Sequence, residues 1–190
     1  MKYVIKSVAN CYILAIILAG ATMVSGQTVS DTGKRAALEF EGRAKEYTKR
    51  REAIEQTLPV LPKQASAERI AAHKDALLRS VSEDRKVVVK GNIFTPAAEA
   101  HIRSVIAAYA KGREGAQLKK ELTEAENKNV QVKVNIAYPE TAELLEMPPS
   151  LLLELPQLPK QLRYRFVGTN LLLVDRENQL IIDYMTNALP

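Results

Sequence analysis

The hydrophobic period of this chain changes once, near Asn129, and that change confines it to folds that join helices to a sheet. Before that point apolar residues return every three or four positions. Phe40, Ala44, Tyr47, Ile54 and Leu58 keep this rhythm, with Arg51 on the same stripe, so all six share one helix face. Five of them can pack; Arg51 must carry its head to water or meet a carboxylate. Asp31 or Thr32 can cap the start, and Pro59 and Pro62 end the helix. A second helix starts from Ser66, with Glu68 in the first turn, where the helix dipole favours an acid. It is expected to reach Gly91 and to bury Ile70, Leu77, Val81 and Val88. Thr95-Pro96 places a hydroxyl at a helix cap and a proline at the first helical position, where a missing N–H costs nothing. Ala98, Ile102, Val105 or Ile106, and Tyr109 then face inward until Gly112, and a short helix is expected over residues 116–125. Two long helices joined by a short proline turn lie antiparallel, with the third across them.

After Asn129 the period is two. Val130, Val132, Val134 and Ile136 alternate with Gln131, Lys133 and Asn135, which predicts a half-buried strand closed by Pro139. MPPSLLLELPQLP is broken by prolines and leaves room for a turn or two of helix over residues 151–155. LRYRFVGTNLLLVDRENQLIIDYM predicts a three-stranded meander over residues 162–167, 171–175 and 180–185. Gly168-Thr169-Asn170 makes the first turn and residues 176–179 the second. Tyr164 and Phe166 share one face of their strand, Arg163 and Arg165 the other. A sheet with one apolar face needs a cover, and the helices supply it. The expected fold class is α+β. An antiparallel bundle or hairpin of three to four helices (region 27–127) packs on a small, mainly antiparallel sheet from the strand-rich region 128–190, sharing one core.

The first 26 residues have the grammar of a secretory signal. Lys2 and Lys6 form a positive start, an apolar run follows from Val8 to Val24, and Val24-Ser25-Gly26 offers a small-x-small cleavage site. The alternative is a retained anchor, but the run is 17 residues long and includes Asn10, where a span wants about 20 apolar residues. The expectation is therefore a periplasmic or secreted protein, with no membrane span after cleavage near Gly26. Its only cysteine, Cys11, leaves with the leader, so no disulfide can hold the fold in that oxidising compartment. Of 27 basic residues 25 remain against 22 acidic ones, and they are interspersed. Nucleic acid as a partner would want a one-signed stripe, and none is present.

YRFVG, LLLVD and LIIDY, separated by short turns, resemble a β module that ends many exported bacterial proteins. The periplasmic RcnB family, associated with nickel and cobalt homeostasis, closes similarly over about the last thirty residues. The whole chain after the leader, with GNIFTP and LIIDYMTNALP, is similar to an uncharacterised family of exported bacterial proteins with a helical front and a strand-rich back. That resemblance implies the fold and the compartment but no activity.

Catalytic patterns are missing. The glycines form no phosphate-cradling loop, there is no G-x-S-x-G elbow, and export removes the only thiol. Carboxylate groups such as Glu39/Glu41, Glu83/Asp84 and Glu121/Glu124/Glu126 lie on helices dense in lysine and arginine, where i,i+4 pairing is the ordinary outcome. First-row metals want clustered imidazole or thiolate, and His73 and His101 fall on different helices. No metal and no other cofactor is expected. The candidate binding residues are Arg163, Arg165, Asp175 and Asp183, which the meander can gather on the face away from its apolar side. Asn92 and Phe94 come next, Phe94 as a staple at the start of the third helix. These readings point to a non-enzymatic protein that binds an envelope protein or component. The alternatives are an envelope hydrolase with fold-assembled carboxylates and a small-ligand or metal sensor.

Overall fold

The computed structural model describes residues 25–125, 130–139 and 147–189. All but the last two residues of the expected leader lie outside them, as does the stretch 126–129. The fold is α+β, with five helices and a three-stranded antiparallel sheet among the described residues.

Helix α1 (Ser25–Glu55) starts ahead of the expected caps, because no proline interrupts the sequence before Asp31 and Thr32. Its stripe is as expected: Phe40, Ala44, Tyr47 and Arg51 are buried, and Ile54 and Leu58 partly so. Helix α2 (Ala67–Asp84) is capped by Ser66, whose hydroxyl accepts the Arg69 N–H. It stops at Arg85, well before Gly91. Two causes act together: Val87, Val88 and Val89 form a β-branched run with poor helix propensity, and Arg85 turns inward to donate to Asn135 and to the Ile182 carbonyl. The early end leaves Val88 outside the helix and half-buried, and Ile70, in the first turn, is exposed, so only Leu77 and Val81 of the expected four are core.

Helix α3 (Pro96–Tyr109) has the Thr95 cap, with Ala98, Ile102 and Ile106 fully inside. Gly112 begins helix α4 (Arg113–Glu124), three residues earlier than the sequence suggested. Gly115 makes that start possible. A Cβ there would lie 2.4 Å from the Tyr109 carbonyl oxygen and from the Ala110 Cα, so only glycine permits the close approach. Helix α5 (Pro149–Glu154) is the short proline-bounded turn.

Strands β1 (Leu162–Val167), β2 (Asn170–Asp175) and β3 (Ile181–Met185) form the meander in the order β1-β2-β3. Val167 pairs with Asn170 across a two-residue turn in which Gly168 has φ 54°. The strand expected at 130–136 is not formed; Ala137 makes a single bridge to Leu180. Asn135, at φ 65°, bends the chain, so sheet-like hydrogen bonding is confined to residues 135–138, from Asn135 and Tyr138 to Ile181 and Gln179.

One apolar cluster contains residues of every helix and every strand. At its centre Phe40 lies 5.1 Å from Phe94 and 6.1 Å from Tyr164, ring to ring. The opposite sheet face is covered as well, where Val167, Leu172, Val174 and Ile181 pack with Tyr138. The sheet therefore has no wet face of the kind the sequence suggested, because residues 130–139 lie over it.

Candidate anion-binding cleft

Strand alternation sends Tyr164 and Phe166 into the main core and leaves Arg163 and Arg165 on the other side of β1. Next to this strand runs the segment 156–160, held away from helix by Pro156 and Pro159. The Tyr164 hydroxyl donates to the Pro156 carbonyl at 2.9 Å, and the Leu162 N–H donates to the Pro159 carbonyl at 3.0 Å. These bonds hold open a cleft of about 520 Å³. Met147, Leu152, Leu158 and the two prolines give it an apolar wall; Lys160, Arg163, Arg165 and Arg176 give it four cations, and among the described residues no acidic side chain lines it.

Two of the cations, Arg163 and Arg165, are withdrawn from water, while Lys160 and Arg176 are exposed. Arg165 is 5% exposed, with its guanidinium 5.2 Å from the centre of the Tyr138 ring. Arg163 donates one terminal nitrogen to Gln179, and Arg176 donates its Nε to the Leu162 carbonyl at 3.0 Å. The Nε groups of both Arg163 and Arg165 are buried without an acceptor among the described residues. None of the four cations forms an ion pair among the described residues. Burial lowers the Arg163 pKa, and the neighbouring charges of Arg165 and Arg176 lower it further. Burial lowers Arg165 too, opposed by Tyr138 and aided by Arg176. Arginine stays protonated through such shifts, so like charges and unmet donors persist together. An oxyanion answers both: a guanidinium edge of Nε and Nη matches the fork of a carboxylate or phosphate.

The four residues singled out from sequence do not gather. Asp175 and Asp183 lie on the helix side of the sheet and are fully buried. Asp175 accepts from the Tyr47 hydroxyl at 2.8 Å and from Arg51 Nε at 3.0 Å. Asp183 accepts the backbone N–H groups of Gly91, Ile93 and Phe94 at 2.7–2.9 Å. It thereby fixes the GNIFTP connection, whose Phe94 packs on Phe40 of α1. Asn92 stays exposed, and its carbonyl accepts from Arg43.

The histidines also separate. His73 lies 3.9 Å from Glu55, and with Glu177 the three offer ligand atoms within 4.8 Å of one another. Both carboxylates also accept from Arg51, so their negative charge is already shared with a guanidinium. His101 instead sits against Gly33, 22 residues from Glu55 along α1, or about 33 Å at the helical rise.

Sequence reasoning found Arg163 and Arg165 but missed Lys160, Arg176 and the apolar wall. One signal was present: KQLRYR carries three cations in six residues and no acid. Compared with known proteins, the chain matches no protein family, no curated protein and no solved structure.

Proposed function

We propose that this chain is an exported, non-enzymatic binding protein, and that the cleft beside β1 holds an anionic ligand. The observation that carries this reading is the pair of buried Nε donors on Arg163 and Arg165, without a partner among the described residues, in a cleft to which those residues bring charge of one sign. Its volume falls in the range usual for small-ligand sites, about 300–1,000 Å³. Among the described residues the cleft brings four cations and no carboxylate base, a set that suits holding an anion. Export is supported by residues 1–26, with their charged start, apolar run and small-residue end. Likeness to the RcnB tail is read as shared architecture in the last strands, with no metal function attached.

Calorimetric titration with inorganic phosphate and with acetate tests the anion reading. Saturable binding that weakens with added salt and is lost in the Arg163→Gln/Arg165→Gln variant is expected. Heat that is absent, or equal in the variant, overturns the reading. Intact-mass analysis of the protein from its native envelope tests export: a mass that retains Met1 to Gly26 would show an anchor instead of a cleaved leader.

A further inference from the structure

The apolar wall of the cleft continues onto the surface. Leu152 lines the cleft and is 43% exposed, and Leu153, next along α5, is 80% exposed. Their base is stiff: Leu151 is fully buried, and Pro148, Pro149 and Pro156 bracket the helix. Other apolar side chains are exposed too, Val60 and Val87 among them, but these two leucines adjoin each other and the cations of the cleft. A small free anion would meet the arginines and leave the leucines in water. An uncharged apolar partner would cover the leucines and leave the guanidinium donors unmet. The surface that carries phosphate and hydrocarbon side by side is an anionic phospholipid bilayer.

We infer that the cleft docks this protein reversibly onto anionic phospholipid. A headgroup phosphate sits between Arg163 and Arg165, Lys160 and Arg176 face the negative surface potential, and Leu152 and Leu153 enter the interfacial layer. The inference rests on the anion-binding reading above and adds the source of the anion. Neither feature suffices alone. A handful of basic residues gives weak, salt-sensitive attraction, and two leucines bury little area. Together they give binding that needs both lipid charge and an accessible hydrocarbon boundary.

The test is co-sedimentation with vesicles of phosphatidylcholine alone, or with phosphatidylglycerol added, alongside calorimetry with inorganic phosphate. Full-length wild type and variants are compared, so residues 1–26 contribute equally to each. Wild type is expected to bind the phosphatidylglycerol vesicles at least about tenfold more tightly. Arg163→Gln/Arg165→Gln should lose that preference together with phosphate binding. Leu152→Ser/Leu153→Ser should lose about tenfold on vesicles yet bind inorganic phosphate as wild type does. If the double arginine variant fails to fold, Lys160→Gln/Arg176→Gln, made at exposed charges, must weaken the vesicle preference in its place. Phosphate binding without vesicle preference, or leucine variants that bind vesicles normally, overturns the membrane inference and leaves the anion reading standing. Loss of phosphate binding from wild type itself removes both.

Discussion

Arg51 of α1 and Asp175 at the end of β2 face each other across the core, with 3.0 Å between Nε and the carboxylate. Arg51 is 3% exposed and Asp175 not at all. The remaining Arg51 nitrogens bind Glu55 and Glu177, and Tyr47 donates to the same Asp175 oxygen that Arg51 does. This network ties the first helix to the far end of the meander. Its members are satisfied as a set, so removing one leaves the others with unmet charge.

Arg51→Met is therefore expected to destabilise the protein by about 3–5 kcal/mol, because Asp175 would stay buried without its cation. Arg51→Met combined with Asp175→Leu should recover much of the loss, since it removes both charges. Urea unfolding of the three proteins measures this. A single variant within about 1 kcal/mol of wild type would mean that water reaches Asp175 freely.

Arg51 also shows where a sequence stops being legible. Its place on an apolar stripe announces that it needs a carboxylate, and Glu55 at i+4 is a local one, but the buried partner, Asp175, lies 124 residues away, and no local pattern names it. The aspartates were misplaced for a different reason. A three-residue turn over Gly168-Thr169-Asn170 would put Asp175 opposite Arg163. The observed two-residue turn puts it opposite Leu162, on the apolar side. A one-residue change of register inverts every side chain, so the face of a strand is only as secure as its turn. Asp183 lies beyond a further irregularity at Leu173/Val174, which alternation does not foresee. The meander itself, the Thr95-Pro96 cap and the α1 stripe were all readable, because each rests on local periodicity or turn chemistry. The cleft was only half readable, because its apolar wall comes from α5 and the prolines that follow it.

The turn makes its own prediction. Gly168 has φ 54°, and a Cβ added there meets nothing within 4 Å, so any cost of substitution is conformational. Gly168→Val should destabilise by more than about 1 kcal/mol, while Gly168→Asn should cost much less, since asparagine tolerates the left-handed region. Equal denaturation midpoints for wild type and the valine variant would contradict the turn geometry.

Alkaline pH should find two weak points in the core. Burial raises the Tyr47 pKa, reinforced by the Asp175 carboxylate, and burial raises Tyr164, reinforced by Glu41. Both phenols stay protonated in the folded chain above the ordinary tyrosine value near 10. Their contribution to stability is complete below that pH and declines as pH rises through it, because only the unfolded chain then releases the protons. Each tyrosine adds at most about 1.4 kcal/mol of loss per pH unit. Absorbance titration near the phenolate band should show these two ionising only as the protein unfolds, and Tyr164→Phe should flatten the alkaline decline. A reversible titration of all tyrosines in the folded state near pH 10 would refute this.

The last prediction concerns the stability the cleft forgoes. Arg163 and Arg165 are two positions apart on β1, and the buried Nε of each lacks an acceptor among the described residues. Arg163 also lies in the field of Arg176, which with Arg165 lowers its pKa. A chain under no demand to bind anions would gain by replacing such a residue with a hydrocarbon side chain of similar length, since this removes like-charge repulsion and an unmet donor together. Arg163→Met loses the hydrogen bond to Gln179, a modest contribution at a half-buried site. In an anion-free buffer the variant should therefore melt at or above the wild-type temperature. Added phosphate should reverse the order, because a ligand that binds only the folded state raises the midpoint as its concentration passes the dissociation constant. The wild-type midpoint should climb with phosphate while that of Arg163→Met responds little. A variant that melts well below wild type in anion-free buffer, and rises with phosphate in parallel, would show that Arg163 serves the fold and not a ligand.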